Sequence, residues 1–336
     1  MGGCGAAILG CLGPRLRAEE RAFFAETQPW GFILFARNLE TPDQVRRLTQ
    51  ALRDAVGRDA PILIDQEGGR VQRLGAPHWR QWLPPLEQMS RGGADAMRAM
   101  FLRSRLIADE LRALGIDVNC SPMADVADAG THPFLKNRCY GMDAETVTRA
   151  ARAVADGLMA GGVLPVMKHI PGHGRAAVDS HLDLPVVPED AAALRARDFA
   201  PFAALADLPM AMTAHVVYSA FDATDPATTS AAMVRLIRDE IGFRGLLMTD
   251  DISMQALRGD LAERCGAARA AGCDLVLHCN GDLAEMRVVT EVAGALDGAA
   301  LMRAAAALAA RPGVLPIDIA AAEAELGALL DGRVHG

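Results

Sequence analysis

The sequence predicts an α/β fold: a single-domain (β/α)8 barrel of the TIM type over about residues 6–282, with a helical C-terminal tail over about 283–336. Three observations predict it. Eight short apolar runs recur along the chain, helical patterns fill the intervals between them, and polar side chains gather where the runs end.

In order, the runs are AAILGCLG (6–13), GFILFAR (31–37), PILIDQEGG (61–69), GIDVNCSP (115–122), GVLPVMKH (162–169), PMAMTAHV (209–216), GLLMTDD (245–251) and CDLVLHC (273–279). Their apolar cores are short and do not alternate with polar residues, as expected for strands buried on both faces of a parallel sheet. The clearest helix is TPDQVRRLTQALRDAV, between the second and third runs. Thr41 suits the N-cap, Pro42 the first helical position, and Gln44 stands where it closes a capping box. Val45, Leu48, Leu52 and Val56 then form one apolar stripe. A similar stripe runs through 95–114 and ends before Gly115, and Val147, Ala151, Val154 and Leu158 repeat it ahead of the fifth run. Beyond about 283 the chain is Ala-rich and helical, which places the tail against the outside of the barrel. A doubly wound open sheet is the competing architecture, but no GxGxxG follows the first run.

Composition narrows the function. The 336 residues are 51% hydrophobic and 23% charged, with a net charge of −8 and no Lys/Arg cluster. A nucleic acid or an anionic membrane is therefore not the expected partner, and a small molecule is. Seven cysteines (4, 11, 120, 139, 265, 273 and 279) form no CxxC pair and sit mostly in apolar runs, which reads as reduced thiols and a cytoplasmic location. The N-terminal stretch MGGCGAAILGCLGPRLRAEE has no basic n-region, so no signal peptide is expected, and no apolar run reaches the ~18 residues of a membrane span.

Polar residues mark one end of the predicted barrel. The third run ends in Asp65-Gln66-Glu67, and the fourth in Asn119, continuing to Asp125. The fifth ends in Lys168-His169, the sixth in His215 and the seventh in Asp250-Asp251. Buried charges cost several kcal/mol each unless paired or solvated, so such a ring is best read as the lining of a pocket. Adjacent aspartates after a strand often cap the next helix, and neighbouring strand residues point apart. One of Asp250 and Asp251 is thus expected to face the pocket and the other to cap or pair.

The segment MKHIPGHGRAAVDSH (167–181) is the densest in chemistry-bearing side chains. Its histidines can simply bond backbone groups. His169, His173, Asp179 and His181 are also potential metal ligands, although their spacing matches no familiar zinc pattern. A third reading is an Asp179–His181 dyad, in which the carboxylate orients an imidazole that gives and takes a proton near neutral pH. The glycines at 172 and 174 would let that loop swing in after substrate binds.

Together, IDQEGGRVQR, KHIPGHG followed by DSH, and MTDDISM resemble the motifs of bacterial family 3 β-N-acetylglucosaminidases, the NagZ-type exo-hexosaminidases. NCSPMADV, RCYG, MTAHVVY and PATTS lie in the expected order between them, and the likeness runs from about residue 6 to residue 282. The resemblance implies a (β/α)8 barrel that hydrolyses a terminal β-linked N-acetylglucosamine with retained configuration. It places the nucleophile at Asp250, the general acid/base at His181 and its partner at Asp179, and the sugar-binding positions at Asp65, Arg73, Arg138, Lys168 and His169. The usual Phe of KHFPGHG is Ile170, and the usual RSFG reads Arg138-Cys139-Tyr140-Gly141.

Many members of the family draw the acid/base from a second domain. Only 86 residues follow Asp250 here, and they read as the last barrel units plus the tail, so the proton donor is expected on the dyad loop. No metal or organic cofactor is required. The implied substrate is a saccharide, a muropeptide of N-acetylglucosamine on 1,6-anhydro-N-acetylmuramic acid from peptidoglycan recycling. Another family 3 β-glycosidase, an N-acetylglucosamine phosphorylase and a metal-dependent hydrolase are the alternatives that the residues leave open.

Overall fold

In the computed structural model, which describes residues 3–176 and 184–333, eight parallel strands close into a barrel. They are β1 Gly5–Gly10, β2 Pro29–Leu34, β3 Ile62–Ile64, β4 Val118–Asn119, β5 Leu164–Ile170, β6 Met210–Thr213, β7 Leu246–Asp251 and β8 Leu275–His278. Each falls within or beside one of the eight apolar runs. Each pairs with its sequence neighbours, and β8 pairs with β1 through Ala7–Val276, Ile8–Leu277 and Leu9–His278. Every residue of β2 to β6 and of β8 is buried, which is why these runs show no polar alternation.

The outer ring is α1 Ala18–Thr27, α2 Pro42–Val56, α3 Ala96–Ala113, α4 Ala144–Ala160, α5 Ala200–Ala204, α6 Ala231–Asp239, α7 Leu261–Ala271 and α8 Leu283–Ala293. In α2 the Thr41 side chain accepts the Gln44 N–H, and Val45, Leu48, Leu52 and Val56 are buried, each worth roughly 1.5–3 kcal/mol when fully removed from water. The expected reciprocal capping bond is not formed. The Gln44 carboxamide instead accepts the N–H of Glu40, while its amino group reaches the carbonyls of Pro14 and Asn38, so it ties the entering loop rather than the cap. Helices α3 and α4 meet at Gly157, where a Cβ would lie 2.4 Å from the Phe101 carbonyl oxygen, so only glycine allows that approach.

Helix α8, the first of the C-terminal segment, packs on β1 and β8 and completes the ring. Two further helices, α9 Gly298–Ala309 and α10 Ile319–Leu329, lie at the opposite end from the pocket described below or on the barrel's flank. From α9, Arg303 pairs with Asp274 at the start of β8; Arg311 beyond it pairs with Asp117 ahead of β4. Helix α10 lies on α3, with Arg98 forked onto Glu325 at 2.7 and 2.8 Å. Among the described residues no helix is long and apolar enough to cross a membrane.

Two strand irregularities lie at the C-terminal end of the barrel. The β5–β6 register shifts between Met167 and Ile170, and the β7–β8 register shifts between Met248 and Asp251. Such irregularities re-aim side chains. Here they fall on Lys168-His169 and on Asp250-Asp251, and all four side chains line one pocket.

Candidate active site

The pocket opens at the C-terminal end of the strands, where barrels of this kind carry their chemistry. Asp65, Arg73, Arg138, Lys168, His169 and Asp250 all line it, brought together from the ends of β3, β5 and β7 and from the loop after β4. Asp179 and His181 lie outside the described residues.

Its floor is a charge network. The Lys168 ammonium donates to Asp65 at 2.8 Å and lies 2.5 Å from a Glu67 carboxylate oxygen. Arg138 meets Glu67 in a fork, and Arg73 reaches the second oxygen of Asp65 at 3.2 Å. Burial alone would raise the pKa of Asp65, but the charges of Lys168, Arg73 and Arg138 outweigh it and hold the carboxyl below the ordinary range. Glu67 is governed likewise, burial being overcome by Arg138 and Lys168. Burial opposes the charge on Lys168, yet Asp65 and Glu67 raise its pKa above the ordinary value. All members therefore stay ionised, and the mutual pairing offsets the cost of burying them.

Asp250 and Asp251 both line the pocket, where one was expected to, and they differ instead in their bonding. Asp251 accepts the N–H groups of Ser253 at 3.1 Å and Cys279 at 3.3 Å, and its second oxygen takes the Ser253 hydroxyl at 2.9 Å. It thus closes the turn after β7. Among the described residues Asp250 accepts only the N–H of Asp251, at 2.8 Å, and its other oxygen lies 3.9 Å from His169 Nε2. Burial would raise its pKa, but His169, His215, the Asp251 N–H and Lys168 hold it below the usual value. An ionised carboxylate with one oxygen free to approach a ligand is what a nucleophile requires.

His169 is aimed by Asp125, which is completely buried. One Asp125 oxygen lies 2.8 Å from His169 Nδ1, and the other accepts the backbone N–H groups of His173 at 2.6 Å and His169 at 3.2 Å. The carboxylate fixes the Nδ1–H edge and leaves Nε2 toward Asp250. His173, in T-shaped contact with the His169 ring at 5.4 Å, is pushed down to about 4 by burial and by its neighbour His169. It therefore serves as a neutral wall. The two glycines of this loop are close-packed: a Cβ on Gly172 would lie 2.7 Å from the Asp198 carbonyl oxygen, and one on Gly174 2.0 Å from that of Val126.

Not every polar strand end faces the pocket. His215 is fully buried, with one ring nitrogen 2.7 Å from the Thr228 hydroxyl oxygen and the other 3.0 Å from the Asp251 carbonyl oxygen. It supports the β7 turn from behind. Asn119 exchanges two bonds with the Gln66 backbone at 3.0 Å, and Gln66 pins Arg73 and Leu74. The Tyr140 hydroxyl, at the changed RCYG position, accepts the Met123 N–H at 3.2 Å. The pocket also has apolar walls that polarity could not flag: Phe35, Phe134 and Met254. Among the described residues no group of three or more His, Cys, Asp or Glu side chains is placed to hold a metal ion.

Comparison with known proteins gives one consistent picture. The family model for the glycosyl hydrolase family 3 N terminal domain matches residues 6–310. The β-hexosaminidase of Methylococcus capsulatus is 40% identical over 274 residues, covering 80% of this chain and 81% of the relative. That of Bordetella pertussis is 36% identical over 289 residues, covering 84% and 82%. Among solved structures, NagZ from Neisseria gonorrhoeae in complex with N-trifluoroacetyl-D-glucosamine superposes with a TM-score of 0.85 at 31% identity, covering 98% of both chains. A family 3 β-N-acetylglucosaminidase from a Paenibacillus species gives 0.85 at 28% identity, covering 97% of this chain and 66% of that one.

Proposed function

The chain belongs to glycosyl hydrolase family 3 and is a β-N-acetylhexosaminidase acting on a saccharide, and from that premise we propose that it removes terminal β-linked N-acetylglucosamine with retention, through a covalent glycosyl-enzyme on Asp250. One observation carries the assignment of the nucleophile. Asp250 is held ionised and lines the pocket with one oxygen unbonded among the described residues, whereas both oxygens of Asp251 are engaged in the turn.

Asp250 attacks the anomeric carbon as the leaving oxygen takes a proton from His181. Water then attacks the same carbon from the face the leaving group vacated, giving its proton to His181, and the Asp250 ester bond breaks. Asp179 orients the His181 imidazole. These two roles rest on the DSH motif of the sequence. Asp65, Lys168, Arg138, Arg73 and His169 hold the hydroxyls of the terminal sugar; Lys168 and Arg73 are fixed beforehand on Asp65, Arg138 on Glu67 and His169 on Asp125, so that orientation is not lost on binding. The entire barrel and its C-terminal helices act as one domain in this reading. The substrate is a muropeptide, N-acetylglucosamine on 1,6-anhydro-N-acetylmuramic acid, and the setting is cytoplasmic peptidoglycan recycling. Seven free cysteines, five of them buried, support a reducing compartment.

Mass spectrometry of enzyme quenched during turnover of an activated aryl N-acetylglucosaminide tests the chemistry. An N-acetylglucosaminyl adduct on the peptide containing Asp250, absent from Asp250→Ala, is expected. An adduct on another carboxylate, or first-formed product of inverted configuration, would overturn it.

A further inference from the structure

Two arginines on one hairpin each lie over a phenylalanine of the pocket wall. The hairpin pairs Gln66–Gly68 with Val71–Gln72 directly after β3. At its tip the Arg70 guanidinium sits 3.8 Å from the Phe134 ring centroid, and just past its second strand Arg73 sits 5.2 Å from that of Phe35. Phe35 and Phe134, after β2 and β4, flank the hairpin on either side and both line the pocket.

The two arginines differ in what else they do. Arg73 is bound to Asp65. Arg70 is exposed and, among the described residues, has no hydrogen bond or ion pair. Arg37 stands beyond Phe35, 5.0 Å from its ring, and donates to the carbonyls of Cys11 and Cys279 without a carboxylate partner among the described residues. Two cations without a carboxylate partner among the described residues thus stand against two rings of the pocket wall, in a chain whose net charge is −8. An arginine resting on a surface ring gains only about 0.5–1 kcal/mol, so packing alone gives little reason for the placement. A stacked guanidinium does have a use. The ring fixes its plane and leaves its outer N–H groups free, in the fork that fits a carboxylate.

The sugar-binding network lies on the pocket floor, and the leaving group must pass the mouth. We infer that Arg70, held on Phe134 and aided by the field of Arg37, forms a leaving-group subsite that binds a carboxylate carried by the aglycone. The inference rests on the exo-β-N-acetylglucosaminidase reading above and adds which aglycones that site prefers.

Two coumarinyl β-N-acetylglucosaminides, alike except that one aglycone bears a carboxymethyl group, provide the test. Arg70→Met keeps apolar cover on Phe134 and removes the charge. It should lower kcat/KM for the carboxylate substrate about tenfold, mainly through KM, and leave the neutral one within about twofold. The wild-type preference for the anion should shrink at high ionic strength, and Arg70→Lys should keep part of it. Equal losses on both substrates, or no preference in the wild type, would overturn the subsite. It would also be overturned if inorganic phosphate yielded N-acetylglucosamine 1-phosphate in an Arg70-dependent manner, since the cation would then serve an acceptor. If the wild type cleaves neither glycoside, the reading of the activity itself falls; if it cleaves the neutral one well, that reading stands whatever becomes of Arg70.

Discussion

Arg138 and Glu67 face each other edge to edge, with Nε 2.9 Å from one carboxylate oxygen and Nη2 2.8 Å from the other. Arg138 comes from the long loop after β4 and Glu67 from the hairpin after β3, so this fork joins two loops that the barrel alone leaves independent. The same carboxylate also lies against Lys168, from β5. Glu67 therefore neutralises and positions two sugar-binding cations while having no place in the pocket wall itself. Glu67→Gln keeps the shape and deletes the charge. Loss of about 3 kcal/mol in urea unfolding is expected for a broken buried pair, with kcat/KM down about 100-fold because the two cations shift. Unchanged kinetics would mean that Arg138 and Lys168 hold their places without it.

The two adjacent aspartates should separate cleanly on mutation. Asp250→Ala should lower kcat about 10⁴-fold or more with little change in thermal stability, since among the described residues that carboxylate accepts one N–H. Asp251→Asn should do the reverse. It weakens the turn that holds Ser253 and Cys279, costing about 1–2 kcal/mol, and lowers kcat less than about tenfold. Steady-state kinetics and melting curves on both variants check the pair. A greater kinetic loss in Asp251→Asn would exchange the roles.

The sequence carried the barrel because its strands are buried on both faces and its helices on one, so each type leaves its own apolar rhythm. All eight runs became strands. Gln44 shows the limit: the capping-box spacing was correct, but tertiary carbonyls from Pro14 and Asn38 competed for the same side chain. At the site, polar residues at strand ends pointed to Asp65, Lys168, His169 and Asp250, all four of which line the pocket, because polar groups at a buried strand end need partners or a ligand. The same signal was misleading for His215, which carries buried hydrogen bonds behind the site. Phe35 and Phe134 left no signal, because an aromatic residue at a pocket wall and one in a core look alike in one dimension. Asp125 is visible in the sequence only as a polar residue, because its work depends on backbone N–H groups 44 and 48 residues away.

Asp125 should reveal itself by a split between activity and stability. Its carboxylate fixes the His169 ring and caps two loop N–H groups. Asp125→Asn keeps an oxygen for those donors but loses the charge on the ring. A kcat/KM reduced about 10–100-fold is expected, typical of a group that orients a functional histidine. Asp125→Ala orphans the His169 and His173 N–H groups as well, at about 1–3 kcal/mol each, and should melt markedly earlier. If both variants lose stability equally and retain activity, Asp125 is a loop anchor and nothing more.

Acid sensitivity should come in two stages. Burial first, and then the neighbouring His169, push His173 down to about 4, against an ordinary value near 6.5. Between those values the unfolded chain takes up a proton at this position that the folded protein refuses. The unfolded state then binds more protons, so stability falls as pH drops from about 6.5 to about 4, by up to about 3 kcal/mol. His215, lowered chiefly by burial, acts in the same direction. Asp65, Glu67 and Asp250 behave differently. Their folded values lie below the ordinary carboxylate range, so the stability they contribute is intact above it and is lost only as pH falls further. Urea unfolding at pH 7, 5.5 and 4 should thus show a steady decline, and a steeper one should follow below pH 4. His173→Asn removes the refused proton and should flatten the first stage while leaving the second in place. A first stage of undiminished slope in that variant would assign the decline to His215 and remove His173 from the account.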